Sequence, residues 1–391
     1  MKDEKKAPKL RFKVFTDDWE QCKLGDVANR FDNLRVPVTA NLRKNGNTPY
    51  YGANGIQDFV DGYTHDGEYI LVAEDGANNL KNYPINYVSG RIWVNNHAHV
   101  LQAIPDLANT RFLGYEIGRS NIVSLLVGGG RAKLNADALM NMSINLPKMQ
   151  EQELIAKIFK TIDHAITLHE EKKRQLERLK SALLQKMFAE KQGYPVVRFK
   201  GFCDEWQGTK LGKVSKIVRG ASPRPISDPK WFDNDSNVGW LRISDVTSQD
   251  GRIHHLEQHI SKQGQAKTRV ISEPHLLLSI AATVGKPLIN YVKTGVHDGF
   301  LIFIEPHFDL EFMFQWLEMF RPQWSKYGQP GSQINLNSDL VKNQIIYLPS
   351  REEQNQIGIF FNQIDSLINL HQQKINNINS VKKSLLQKMF I

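Results

Sequence analysis

A chain of 391 residues with 41% hydrophobic and 23% charged side chains has enough apolar material for two or three folded cores, which excludes a disordered polar chain. Its formal charge of +9 permits a polyanionic partner, but the excess is spread along the chain with no lysine-rich tail, so any such contact must come from folded, locally basic faces. Cys22 and Cys203 occupy non-equivalent places and read as bystander thiols, and the charged start Met1–Lys6 with no apolar run after it reads as a cytoplasmic chain without leader or membrane span.

From the N-terminus, Arg11, Phe12, Phe15, Trp19, Lys23, Leu24 and Gly25 form a first short motif. Beyond it, Glu68–Ala73 and Arg91–Val94 are β-branched and aromatic runs between Gly, Asn and Asp turns, which predicts buried strands; residues 109–119 predict a short helix. After Pro147 the pattern changes. Ile155, Ile158, Ile162, Ala165, Leu176, Leu179 and Leu183 recur at steps of three or four among Glu, Lys and Arg, and no Pro or Gly interrupts Lys148 to Gln192. One helix on the order of 60 Å follows from a rise of about 1.5 Å per residue, a length suited to a coiled coil.

The chain then repeats itself. Arg198, Phe199, Phe202, Trp206, Lys210, Leu211 and Gly212 restate the opening motif, Leu276–Ile280 and Phe300–Ile304 predict strands, and residues 310–320 predict a helix. Asn337–Phe390 aligns without a gap to Asn135–Phe188, repeating Leu146 and Pro147 as Leu348 and Pro349, Glu151 and Gln152 as Glu353 and Gln354, and Ile162 and Asp163 as Ile364 and Asp365. The second seam runs through Ile357, Phe360, Ile364, Leu367, Ile378, Val381 and Leu385, although Gly358 and the asparagines of residues 376–379 weaken its helix propensity. A polar pair breaks each seam near its midpoint, His169 with Lys172 and His371 with Lys374. Two readings stand: solvated edge positions, or a central polar layer that sets register in an antiparallel pair. The predicted fold is mixed α/β (α+β), with globular domains at 1–150 and 193–350 and long helices at 151–192 and 351–391. Inserted length and divergence lie inside the globular parts and leave the repeated frame intact.

The order, duplication and spacing of these motifs resemble the specificity subunit of a bacterial type I restriction-modification system, over essentially the whole chain. That resemblance implies two target-recognition domains, each reading one half of a split, asymmetric site in double-stranded DNA, and two helices packed antiparallel as a spacer. It further implies docking of two methyltransferase subunits and then two restriction (motor-nuclease) subunits, a role in host defence, and no catalytic site in this chain. No cofactor is then expected here: S-adenosylmethionine belongs with the partner methyltransferase, and ATP and Mg with the partner restriction subunit. The residues agree, since the chain has no Asp/Asn-Pro-Pro-aromatic motif, and Val284, Gly285 and Lys286 lack the upstream glycine and following hydroxyl of a phosphate loop. Two other readings are a coiled-coil assembly scaffold that does not touch DNA, and a self-contained modification enzyme, for which the motif is missing.

Base reading calls for Arg or Lys against guanine, Asn or Gln against adenine, and further polar groups on phosphates. The first domain offers Arg43, Lys44, Asn45 and Tyr50 in one turn-rich stretch, Lys81 in another, and Arg131 after three glycines. The second offers Arg219, Ser222 and Arg224, then Arg242 and Ser244, Thr283 and Lys286, and Ser332, Gln333 and Asn335 just before the repeated Leu-Asn, the strongest single candidate loop. Each stretch also reads as a solvated surface loop. Trp19 and Trp206, at equivalent repeat positions, read as packing anchors. His254, His255 and His259 suggest a metal site, but Asp250 and Gly251 beside them predict a turn, and no cysteine accompanies them.

Overall fold

The computed structural model describes residues 7–128, 132–189, 193–247, 249–272, 274–281, 283–327 and 336–391. The chain divides into two units, Met1–His169 with Gln373–Ile391, and Glu170–Gln372. Four helices carry the comparison between them: α1 (Thr110–Arg119), α2 (Met149–Met187), α3 (Leu310–Phe320) and α4 (Arg351–Met389). Each unit therefore holds a globular part, one short helix, and one end of each 39-residue helix.

In the first unit a six-stranded sheet runs in the spatial order Ala28–Arg30, Ala98–Ala103, His65–Ala73, Ile85–Val94, Asn45–Gly52, Gly55–Val60. The two runs legible as strands lie in its centre, where Ile70, Val72 and Leu101 bury against Phe112, Leu113 and Ile117 of α1. Asn109 starts α1 as its cap, accepting the Phe112 N–H at 3.0 Å. The second unit builds its interior differently, with a five-stranded sheet (Lys216–Arg219, Phe300–Ile304, Leu276–Ser279, Pro287–Asn290, Arg252–Ile253) and a three-stranded one (Gly239–Leu241, Thr294–Val296, Arg269–Ile271). Asp309 caps α3 as Asn109 caps α1.

The frames are bonded alike. Glu20–Lys23 pairs antiparallel with Ser143–Leu146, and Gln207–Lys210 with Ile345–Leu348. Trp19, 2% exposed, sets its edge against Phe112 and Phe390, as Trp206, 1% exposed, does against Phe312 and Phe188. Both tryptophans are packing anchors, and the closing Met-Phe of each repeat supplies the ring they pack on. Arg11 forks onto the buried Glu151 carboxylate with two bonds of 2.8 Å, and Arg198 onto Glu353 at 2.7 and 2.8 Å. The adjacent Gln152 and Gln354 accept the backbone N–H of Asn109 and Asp309, both at 2.9 Å, tying each short helix to a long one. The repeated Glu-Gln is thus a two-pronged fastening for the domain.

Along the long helices a buried or half-buried stripe passes through Ile155, Phe159, Ile162, Ile166, His169, Lys173, Leu176, Lys180, Leu183 and Met187, and through the equivalent Ile357, Phe361, Ile364, Ile368, His371, Ile375, Ile378, Lys382, Leu385 and Met389. Its steps alternate four and three, the heptad pattern of a coiled-coil seam. One half of the expected seam, the set through Ile155, Ile162, His169, Leu176 and Leu183 and its repeat, lies on this stripe. The other half is displaced by one residue: Leu179, Leu367 and Val381 are exposed, and Lys172 and Lys374 face solvent. Apolar residues at both alternatives, such as Ile158 beside Phe159, make the step ambiguous in sequence, and the aromatic core captures Phe159. Within the second unit Lys180 meets Asp365 and Phe188 stacks on Phe361; within the first, Asp163 meets Lys382 and Phe159 packs on Phe390. Advancing along α2 retreats along α4 in both units, so the helices pack antiparallel. No helix among the described residues is long and apolar enough to cross a membrane.

Candidate nucleic-acid interface

In the first unit the stretch around residues 41–50 splits into pinned and free residues. Tyr50 is 1% exposed; its hydroxyl accepts the Val38 N–H at 2.9 Å and donates to the Val38 carbonyl at 3.2 Å. The expected contact role for Tyr50 is therefore corrected: a β-strand turns the ring inward, where it braces the preceding loop. Arg43 lies over that ring at 4.1 Å, donates to the Val38 carbonyl and pairs with Asp58 at 3.3 Å, which leaves its side chain 15% exposed. Lys44 and Asn45 remain exposed at the start of the strand. Lys81 is exposed on a turn whose backbone is held by the Asn79 carboxamide, and Asn54 ties this loop to the neighbouring hairpin through the Gly76 carbonyl and the Asn78 N–H. The hairpin tip and the Lys81 loop are thereby brought together. Arg91, over the Tyr63 ring at 4.8 Å and 65% exposed, is a further cation on this unit that the loop criterion missed because it sits in a strand. Arg131 lies outside the described residues.

In the second unit one residue, Asp298, organises three of the expected residues. Asp298 accepts Ser222 Oγ at 2.8 Å and Arg224 at 2.6 Å, while its backbone carbonyl accepts Arg219 Nε at 2.6 Å. Burial pushes the Asp298 carboxyl up, but the Ser222 bond, His297 and the two arginines outweigh it and hold the group below the usual range. The result is a charged anchor that orients two arginines, of which Arg224 stays 73% exposed. Arg242 forks onto Asp245 and reaches Glu257 at 3.2 Å, and Ser244 beside it is exposed. Lys286 is corrected: it pairs with Glu318 at 3.3 Å and is largely withdrawn from solvent, and Thr283 is half-buried. Ser332, Gln333 and Asn335 lie outside the described residues.

Beside the Asp298 anchor lies a cleft of about 610 Å³ that no sequence motif announced, lined by Ile226, Phe232, Trp240, Arg242, Ile243, Gln258 and His297 among others. Its residues come from four separated segments, so no local pattern could reveal it. Burial depresses the His297 pKa, partly offset by Asp298, and its Nδ1 accepts the Gly299 N–H at 2.9 Å.

The three histidines that suggested metal take separate partners: His254 stacks on Tyr291 at 4.5 Å, His259 Nε2 contacts the Leu256 carbonyl, and His255 is exposed. Elsewhere Asp32, Glu74 and His99 bring ligand atoms within 4.8 Å of one another. Arg35 and Lys133 already reach Glu74 at 2.7 and 2.9 Å, and His99 Nδ1 lies 2.7 Å from Asp32, so two side-chain cations balance the two carboxylates there. The thiols of Cys22 and Cys203 are both free.

Fold and surface together define a duplicated protein: two units on one bonding frame, each with a different sheet and its own basic loops. The family model described as the type I restriction modification DNA specificity domain matches twice, at residues 16–178 and 203–380. The chain belongs to that family. It is similar to a Haemophilus influenzae chain named for a type I restriction enzyme specificity subunit, at 47% identity over 135 residues, about a third of either chain. It is also similar to the type I restriction enzyme MjaVIII specificity subunit of Methanocaldococcus jannaschii, at 22% identity across 95% of this chain and 91% of that one. Among solved structures, the S subunit of a type I restriction-modification system from M. genitalium shares the fold with a TM-score of 0.69 over 98% of this chain and 99% of that one, at 13% identity.

Proposed function

We propose that this chain is the DNA-reading subunit of a type I restriction-modification complex, and that each globular part reads one half of a split, asymmetric site. The observation that carries this reading is the contrast between a frame that repeats its strand pairing, Arg–Glu forks and Gln ties and interiors built from different sheets: one task, performed on two unlike targets. The antiparallel helix pair sets the gap between half-sites, because equivalent groove faces recur only about every 34 Å along a duplex. Two methyltransferase subunits dock on the repeated frame, and two restriction subunits join them. The chain itself does no chemistry and holds no cofactor; S-adenosylmethionine is carried by the methyltransferase, and ATP and Mg by the restriction subunit. The complex works in the cytoplasm, away from any membrane.

In the first unit the exposed Lys44, Asn45 and Lys81 are the contact residues, with Arg43 oriented behind them. In the second, Arg219, Ser222 and Arg224 on their Asp298 anchor lead, with Arg242 and Ser244 beside them; Arg131, Ser332, Gln333 and Asn335 are proposed as contacts from their sequence alone. Co-expression with the cognate methyltransferase, followed by genome-wide mapping of modified bases, tests the reading. The expected outcome is a bipartite, non-palindromic motif; a continuous one refutes the architecture. Lengthening both helices by one heptad, after Leu176 and after Ile378, keeps the stripe in phase and adds about 10 Å, so the gap should grow by about three base pairs with both halves unchanged. An unchanged gap removes the spacer role.

A further inference from the structure

The cleft beside Asp298 is built for a flat ring with a polar edge. Its apolar lining includes Trp240, Phe232, Ile226 and Ile243, with the Trp240 ring set edgewise to Phe232 at 6.5 Å and to His297 at 5.8 Å. On its lining the carboxamide of Gln258 and the Nε2 atom of His297 have no hydrogen-bond partner among the described residues. His297 Nδ1 is occupied by the Gly299 N–H at 2.9 Å and the Asp298 carboxylate at 3.3 Å, which leaves Nε2 as the ring nitrogen available to the cleft. Gln258 adds a donor and an acceptor on one rigid group, the pair that matches the edge of a nucleobase. At the rim, Asp298 contacts His297 at 3.3 Å and holds Arg219 and Arg224, cations suited to a phosphate.

A paired base shows a protein only its edge, because its faces are covered by the stack. An apolar lining gains contact area from a ring whose faces are open. We propose that this cleft binds a single unstacked nucleotide, its ring on the apolar lining, its edge on Gln258 and His297, and its phosphate toward Arg219 and Arg224. The inference rests on the DNA-reading function proposed above and assigns the second unit a contact of a different kind from groove reading. The same chemistry would be met by a nucleotide turned out of a DNA strand or by a free one.

The test compares the full chain binding a fully paired duplex with four duplexes of the same flanks that each carry one unpaired nucleotide, A, C, G or T, by fluorescence anisotropy. At least one unpaired base should bind about tenfold tighter than the paired duplex, as expected for a two-bond edge contact. Gln258→Leu, which removes a side chain with no bonds among the described residues, should bring that ratio back near one while leaving paired-duplex affinity unchanged. Arg224→Gln should weaken both. Gln258-dependent binding of deoxynucleoside monophosphates without any preference for the unpaired base keeps the nucleotide site and makes a free nucleotide its source. Equal affinity for all five duplexes with no monophosphate binding overturns the inference while leaving DNA reading intact, as does a preference that survives Gln258→Leu. Failure to bind any duplex counts against DNA reading itself.

Discussion

The two units use the same helix carboxylate in different ways. In the first, Asp163 accepts the Tyr115 hydroxyl and pairs with Lys382 at 2.7 Å, at a half-exposed position. In the second, the equivalent Asp365 accepts Lys180 at 2.5 Å, Gln315 at 2.8 Å and Arg252 at 3.1 Å, and Arg252 in turn forks onto Glu311 of α3. The lysine from the facing helix is common to both, while the partner from the domain differs. A duplicated frame therefore keeps the helix-to-helix bond and lets each interior fasten itself with whatever its own sheet supplies. Gly358 shows the same division. A Cβ there would lie 3.0 Å from the Phe312 amide and 2.8 Å from the Asp309 carboxylate, so α3 approaches α4 more closely than a side chain permits; the first unit places Ala156 at the matching position.

Removing a shared fastening should have the largest effect. Glu151→Ala strands Arg11 and should cost the first unit about 3–5 kcal/mol, with Glu353→Ala doing the same to the second; hydrogen exchange resolved by unit would read each loss separately. Equal loosening of both units by either change would refute the independence of the two frames. Asp365→Asn comes next, at about 2–3 kcal/mol in the second unit, against about 1 kcal/mol for Asp163→Asn in the first, because Asp365 holds three donors in a more buried setting. Chemical denaturation of the two variants would rank them. Gly358→Ala should destabilise by about 1–3 kcal/mol through overpacking although alanine is the better helix former, whereas Ala156→Gly should cost about 1–2 kcal/mol through lower helix propensity and the loss of a buried methyl; a Gly358→Ala protein as stable as the parent would show that α3 can shift.

Acid should act on the first unit through Asp32. Burial pushes this carboxyl up, but His99, the Val100 N–H and Arg35 prevail and hold it below its ordinary value of 3.8. A depressed folded pKa supplies stability above the ordinary value that is lost as pH falls through the folded one. Exchange in the first unit should thus accelerate below about pH 4, and Asp32→Asn should flatten that dependence while lowering stability at neutral pH. The smallest effect should come from Lys44→Ala, whose exposed side chain makes no bond among the described residues: unchanged stability, DNA affinity reduced alike across sequences, and a salt slope shallower by about one. A change of sequence preference instead would move Lys44 from phosphate to base.

Much of the frame was legible because it is local or repeated. The opening motif, the Glu-Gln pair and the unbroken run after Pro147 each state their role within a few residues, and each occurs twice. The candidate interface was less legible. Lys44 and Lys81 were found by composition, but Tyr50 and Lys286 carry the same surface-loop signature and are turned inward or paired, because strand alternation and Glu318 act on them from outside the motif. The cleft left no trace, its lining being gathered from residues 226 to 297.

By itself the sequence determined the duplication, the two long helices, and one half of the seam, since periodicity and repetition are properties of the chain alone. Only the tertiary structure decided which of two adjacent residues completes the seam, why Gly358 is tolerated in a helix, and which arginines are free or anchored. Those outcomes depend on carboxylates and aromatic rings such as Asp58, Asp298 and Phe390, brought near by folding from 15 or more residues away, beyond the reach of the local pattern.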